Sequence, residues 1–453
     1  MAALILLMMP ASASLRAAPA TAPRPNILFI MADDLGYGDL GSYGQTKIRT
    51  PNLDRLATQS TRFTDVYAGA PVCAPSRCVL MTGQHTGHCR IRANSPRVGG
   101  QPESFGSGTG RRVSLTNDDR TIAEALREAG YVTGAMGKWG IGEPGTDGTP
   151  NRRGFDEWFG YLNQNHAPFY YTDYLWRNEQ KQAIPENSDG KRVRYSHDLL
   201  TDEAVAFLER HREKPFFLYL PFTIPHRQFE VPSLEKYANE PWPEEAKIFA
   251  AMVTRLDRDV GRVLDELDRL GLATNTVVFF TSDNGSEKKK SFGDFFRSTR
   301  SFRGYKGSVY EGGLRVPMLV RWPGVVPAKK VSSTPWWFAD VFPTLLAIAG
   351  VKESTAKLDG LDVLATLRGK PQPALAERYF YWEDPDKILS QAARRGNWKA
   401  VRIGAKAPLE LYNLKQDIGE TRNVASSHPE IVAEFEKYLE GARVPSPHWP
   451  YDP

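Results

Sequence analysis

The sequence predicts an α/β protein: a large, mostly parallel sheet with helices on both faces, followed by a small antiparallel sheet with one helix. Three observations carry that expectation. Asn26-Ile-Leu-Phe-Ile-Met31 and Thr276-Val-Val-Phe-Phe-Thr281 are continuous apolar runs, the pattern of strands buried on both faces. Stretches of helical spacing alternate with such runs, and that alternation builds parallel sheets. Beyond about Lys370 the texture changes to short aromatic or alternating segments.

In chain order, the first strand stops at Ala32-Asp33-Asp34. Thr121 to Ala129 reads as a helix ended by Gly130, with Tyr131 to Met136 as the strand after it. Asp198 to His211 and Pro215 to Leu220 repeat the unit. Phe249, Met252, Val253, Leu256, Val260, Val263, Leu264, Leu267 and Leu270 recur at helical spacing, closed by Gly271, and lead into the strand that stops at Ser282-Asp283-Asn284-Gly285. Asn94 to Arg112 and Glu287 to Lys306 read as surface loops. Arg378 to Trp382, Ala392 to Ile403 and Leu409 to Leu414 are the expected short strands, and Pro429 to Leu439 the last helix. The expected division is a signal and linker over 1–22, a large α/β domain over 23–369 and a small α+β subdomain over 370–453.

Of the 453 residues, 41% are hydrophobic and 25% charged, which excludes a disordered or fibrous chain. A net charge of +5 is too small and too dispersed to argue for a nucleic-acid partner. Met1 to Ala13 carries an apolar run ending in the small-residue site Ala11-Ser12-Ala13, which predicts export to the periplasm or secretion, although the basic start of a secretory signal is missing. Nothing else approaches the ~18 apolar residues of a membrane span, so stable membrane insertion is not expected. Cys73, Cys78 and Cys89 lie in one short stretch and cannot form a disulfide framework.

Asp33, Asp34, Asp283 and Asn284 each follow a buried strand, and in such sheets ligands gather beyond the carboxyl ends. Oxygen-only ligands select a hard cation, Ca²⁺ or Mg²⁺, over zinc. The same residue types are also ordinary caps and turn formers at strand ends. Taken alone, Cys73 reads more readily as a buried small hydrophobe, Arg77, Lys138 and Lys306 as solvated charges, and His226 as a loop histidine bonded to backbone.

Pro71-Val-Cys73-Ala-Pro75-Ser-Arg77-Cys-Val-Leu-Met-Thr82-Gly83 resembles the signature of the type I sulfatases. Asn26 to Asp34, Gly137-Lys138-Trp139, Pro225-His226, Thr281 to Gly285 and Gly304 to Pro317 are similar to further motifs of that family, in its order, from about Pro25 to Asn423. The resemblance implies an alkaline-phosphatase-like fold and oxidation of Cys73 to formylglycine by a maturation enzyme. The aldehyde hydrates to a diol, whose one hydroxyl attacks sulfur and whose other provides an exit for sulfate. It further implies one Ca²⁺ ion, with Mg²⁺ the lesser alternative, on Asp33, Asp34, Asp283, Asn284 and residue 73. Arg77 would hold the modified side chain, Lys138 and Lys306 the sulfuryl oxygens, and His226 would protonate the leaving alcohol. The chain departs from the family at Gly140, where sulfatases commonly carry a histidine. Cys78 and Cys89 could bridge or remain free thiols.

Phe159 to Asn178 is dense in aromatic and amide side chains, which suit a sugar as well as a core; His166, Tyr170, Trp176 and Arg177 are the candidate substrate contacts. Lys288, Lys289, Lys290, Arg297, Arg300, Arg303 and Lys306 could steer a polyanion, or form a solvated loop. The expected substrate is a sulfated carbohydrate. Two rivals remain at this level: a formylglycine-dependent phosphodiester or phosphonate monoester hydrolase, and an inactive sulfated-glycan-binding relative. Two-zinc phosphatases need Asp/His clusters, and none of the eight histidines is paired on the Asp283 strand.

Overall fold

The computed structural model describes residues 24–106, 109–351 and 357–451. Its strands are β1 (Asn26–Ala32), β2 (Thr61–Tyr67), β3 (Gln101–Pro102), β4 (Arg111–Arg112), β5 (Val132–Lys138), β6 (Glu157–Tyr161), β7 (Tyr174–Arg177), β8 (Gln180–Ala183) and β9 (Phe216–Pro221). They continue as β10 (Thr276–Ser282), β11 (Arg315–Arg321), β12 (Lys330–Ser332), β13 (Trp336–Trp337), β14 (Tyr379–Asp384), β15 (Ser390–Arg395), β16 (Trp398–Ile403) and β17 (Glu410–Asn413). The helices that matter for the site are α1 (Pro51–Thr58), α2 (Cys73–Thr82), α3 (Ile122–Glu128), α4 (Ser196–Arg210), α5 (Glu244–Arg269), α6 (Glu311–Leu314) and α7 (Val341–Ala349).

The main sheet has the order β12-β2-β11-β10-β1-β9-β5-β6-β7-β8, with β13 also on β2. At its centre β10, β1, β9, β5 and β6 run parallel. Successive side chains of a strand point to opposite faces, so β1, buried throughout, needs cover on both sides. Ile27, Phe29 and Met31 enter one core with α2, α3 and α7; Leu28, Ile30 and Ala32 enter the other with α1, α4 and α5. β10 divides in the same way, Val277 and Phe279 to the first core and Val278 and Phe280 to the second. In-register pairing from Asn26↔Thr276 to Ala32↔Ser282 ends both strands at the same height. That brings Asp33-Asp34 and Asp283-Asn284 side by side.

The second sheet, β14-β15-β16-β17, is antiparallel. Phe380, Trp382, Ala392 and Val401 join the first core of the main body, while Tyr381, Ala393, Ala400 and Leu411 pack with Phe435 and Leu439 of the C-terminal helix Pro429–Gly441. The apolar run 392–403 forms two strands, turning at Gly396-Asn397. The Met1 to Ala13 run lies outside the described residues. Among the described residues no helix is long and apolar enough to cross a membrane.

Candidate active site

Four adjacent strands deliver the site from their carboxyl ends: β1 leads to Asp33 and Asp34, β10 to Asp283 and Asn284, β5 ends at Lys138, and His226 follows β9. The backbone locks the two acidic pairs together, Asp283 N donating to Ala32 O (3.0 Å) and Asp34 N to Asp283 Oδ1 (3.2 Å). Asp34 takes a left-handed φ of 64° in doing so, a conformation Asp tolerates better than most residues. Cys73 opens α2 and points its Sγ at Asp33 Oδ1, 3.6 Å away. Suitable donor atoms of Asp33, Asp34, Cys73 and His226 all lie within 4.8 Å of one another.

The cations are fixed as firmly. Arg77, four residues into α2 and 1% exposed, donates from Nε (3.1 Å) and Nη2 (2.7 Å) to Asp283 Oδ2, and from Nη1 to Lys138 O (2.5 Å). These bonds orient a carboxylate and the Lys138 backbone. Lys138 Nζ lies 2.7 Å from Asp33 Oδ2, and Lys306 Nζ 2.8 Å from Asp34 Oδ2. His226 Nε2 approaches Asp34 Oδ2 at 3.6 Å, while its Nδ1 bonds Arg227 O.

Burial penalises every charge here, and the neighbours decide the outcome. Despite that penalty Lys138 holds Asp33 far below the usual carboxylate range, and Lys306 lowers Asp34. Asp283 is raised, first by burial and then by Asp33. Burial pushes the Cys73 thiol up to about 12 and lowers His226 to about 4, the latter helped by Lys306. Near neutral pH the site therefore holds a protonated thiol and a neutral imidazole.

The donor set fits a hard dication. Asn284 Nδ2 donates to Asp34 Oδ1 (2.7 Å), while Asn284 Oδ1 is buried and has no hydrogen-bond partner among the described residues. A metal ligand bond would satisfy that oxygen. The charges of Arg77, Lys138 and Lys306 balance those of Asp33, Asp34 and Asp283, so a bound dication would leave the pocket positive and suited to an anionic ester.

The four candidate sugar contacts do not gather at this cluster as open rings. His166 is 1% exposed, stacked on Phe105 at 4.4 Å and bonded through Nε2 to Thr172 Oγ1 (2.6 Å). Tyr170 is wholly buried, and its hydroxyl donates to Thr223 O (3.1 Å) and His226 O (2.5 Å), so it braces the loop that carries His226. Arg177 pairs with Glu203 (2.6 Å) and lines a cleft with Glu157 and Arg210, toward the amino end of β6; partly buried Trp176 packs on the first core. Nor is the cationic loop uniformly solvated: Lys289 is 4% exposed, its ammonium over the rings of Phe249 and Phe229. Cys78 and Cys89 are free, buried thiols. Sequence reasoning missed Asn94, whose Oδ1 accepts from Ala74 N beside the candidate nucleophile (3.0 Å). No local pattern marks it, because its loop meets α2 only in the folded chain.

An alkaline-phosphatase-like sheet with this pocket above its carboxyl ends defines a hydrolase of anionic esters. The family model described as Sulfatase matches residues 25–351, and that described as N-sulphoglucosamine sulphohydrolase, C-terminal, matches 304–444. Human N-acetylgalactosamine-6-sulfatase is 34% identical, covering 83% of this chain and 71% of its own length. Arylsulfatase A of Bos taurus is 32% identical, covering 93% and 87%. The crystal structure of Ps i-CgsB in complex with k-i-k-neocarrahexaose superposes with a TM-score of 0.80 at 31% identity, covering 95% of each chain. This chain belongs to the sulfatase family and is a sulfuric ester hydrolase.

Proposed function

We propose that the chain releases sulfate from a sulfated carbohydrate, using formylglycine made from Cys73 and one Ca²⁺ ion. The observation that carries the reading is the setting of Cys73: a buried, protonated thiol 3.6 Å from Asp33, flanked by Lys138 and Lys306. A thiol held up to about 12 is a poor nucleophile at neutral pH, and sulfation of sulfur would leave no easy release. As an aldehyde hydrate, residue 73 supplies both an attacking oxygen and a route for sulfate to leave. Asp33, Asp34, Asp283 and Asn284 would hold the Ca²⁺, which supplies Lewis-acid polarisation of sulfate oxygens and eases ionisation of the attacking hydroxyl.

The remaining work falls to the chain's own side chains. Arg77 keeps Asp283 ionised and correctly turned. Lys138 and Lys306 exchange part of their contact with Asp33 and Asp34 for the ester's oxygens, neutralising charge as the S–O bond breaks. His226 gives its proton to the departing sugar oxygen. Burial and Lys306 leave that imidazole neutral before substrate binds; the anionic ester opposes the effect of Lys306, so His226 takes up the proton it donates as the ester binds.

The carbohydrate assignment is supported by relatives named for N-acetylgalactosamine-6-sulfate chemistry and by the oligosaccharide-bound neighbour. Export to the periplasm or secretion, and a formylglycine-generating maturation enzyme, complete the reading. Cys73→Ala is expected to lose about 10⁴-fold or more in turnover of a sulfated oligosaccharide while keeping its thermal midpoint, because the position supplies a reagent. Sulfate release measured on matured protein checks this. Undiminished turnover by the variant contradicts it.

A further inference from the structure

Asn94 brings a neutral side chain to the first turn of α2, next to residue 73. Asn94 Oδ1 accepts two hydrogen bonds, from Ala74 N in the first turn of α2 and from Gln164 Nε2, each 3.0 Å long. Asn94 O in turn accepts from Arg112 Nη1 (2.5 Å), which ties the backbone down. With Oδ1 committed to two donors, the amide cannot turn over, and its NH₂ is the end left for other partners. Among the described residues no hydrogen bond uses Asn94 Nδ2, although the side chain is only partly exposed.

Gln164 is held there by shape. Trp139 N and Gly140 N donate to Tyr161 O (2.8 Å) and Leu162 O (3.0 Å), which extends the β5–β6 pairing past the strand ends and sets residue 140 beside residue 164. Gly140 has a φ of 78°, and a Cβ built on it would lie 3.2 Å from Gln164 Cγ and 3.3 Å from Cδ. A side chain at 140 would crowd the glutamine; glycine leaves it room to reach Asn94.

We propose that Asn94 is a further catalytic residue, its Nδ2 donating a hydrogen bond to an oxygen of the bound sulfate group, and that Gln164 is its positioning residue. A sulfate ester presents three sulfuryl oxygens, and in the proposed reading Lys138 and Lys306, now held on Asp33 and Asp34, supply two cationic donors for them. A fixed amide donor beside residue 73 adds a third, without a charge that would compete with the acidic cluster. The inference deepens the sulfate-ester reading of the pocket and rests on it, but it does not depend on the chemical form of residue 73.

The test measures binding of inorganic sulfate to full-length Ca²⁺-loaded protein in a Cys73→Ala background, where no formylglycine exists. Asn94→Ser retains an acceptor oxygen for Ala74 N but loses the amide donor; Gln164→Met keeps bulk and loses the bond that orients Asn94. Loss of a hydrogen bond to a charged group predicts about tenfold or more weaker sulfate binding for Asn94→Ser and a smaller loss for Gln164→Met. On the matured Cys73 enzyme the same substitutions should lower kcat as well as raise KM. Wild-type sulfate affinity and kcat in both variants would overturn the proposal, leaving Asn94 as a helix cap alone. If Asn94→Ser fails to fold, Gln164→Met decides: weakened sulfate binding supports the donor role and unchanged binding rejects it. Formylglycine fails separately, by detection of unmodified Cys73 in active enzyme.

Discussion

In the substrate-free pocket His226 is neutral near pH 7, because burial and Lys306 hold it at about 4, with Asp34 only partly opposing them. A sugar alkoxide leaves poorly without a proton, whereas a nitrophenolate needs none. His226→Ala is accordingly expected to cut kcat/KM by about 10²–10⁴-fold for a sulfated sugar and far less for nitrophenyl sulfate. Rates on the two esters, measured side by side, check this; equal losses would take His226 out of the acid role. Despite burial, Lys138 holds Asp33 and Lys306 holds Asp34 below the usual carboxylate range, so neither carboxylate should titrate above that range in the pH profile of the free enzyme. Tyr170 belongs to the same local design, since its hydroxyl holds the carbonyl of His226 and so places the imidazole.

At the level of elements, the site depends on strands ending at matched heights. Gly137, next to Lys138, approaches β9 so closely that an added Cβ would sit 2.1 Å from Pro221 O. Gly137→Ala must therefore push β5 and β9 apart; the expected cost is about 1–3 kcal/mol of stability, with a fall in activity as Lys138 moves. Denaturant unfolding and turnover on the same preparation measure both effects. β1 and β10 were legible in the sequence because burial on both faces leaves an unbroken apolar run, and Asp33, Asp34, Asp283 and Asn284 follow directly from where those runs stop. β2 and β11 were not read as strands. Thr61–Tyr67 mixes Arg, Thr and Asp among its apolar residues, and β11 carries Pro317, around which its pairing with β2 shifts register between Val316 and Met318. Asn94 and Gln164 were opaque for another reason: each sits in a loop whose meaning arises only where two loops meet.

Across the whole molecule, a buried charge network joins the C-terminal sheet to the catalytic body. Lys399 on β16 bonds Glu311 of α6 at 2.9 Å and Glu420 at 3.0 Å, and Arg315 adds a second bond to Glu311. Both carboxylates pay for burial, but Lys399 and Arg315 hold Glu311 low, whereas Glu420 is raised to about 7 by burial and by Glu311 beside it. The two have opposite linkage. The folded state binds the Glu420 proton more tightly than the unfolded chain does, so its contribution is complete below about 4.5 and is lost as pH rises toward 7. Glu311 contributes above its ordinary value and is lost only in acid, toward about 2. Glu420→Gln should flatten the dependence of unfolding free energy on pH between about 5 and 7, where the wild type declines. Denaturant titrations at several pH values test this, and an unchanged slope would remove Glu420 from the account.

The central claim is that residue 73 works as an oxidised, two-oxygen nucleophile. Mass spectrometry of the peptide containing position 73, taken from fully active protein coexpressed with a maturation enzyme, measures it most directly. The predicted result is an aldehyde in place of the thiol, in a fraction that tracks specific activity. Full activity in protein whose position 73 still has the mass of cysteine would contradict it.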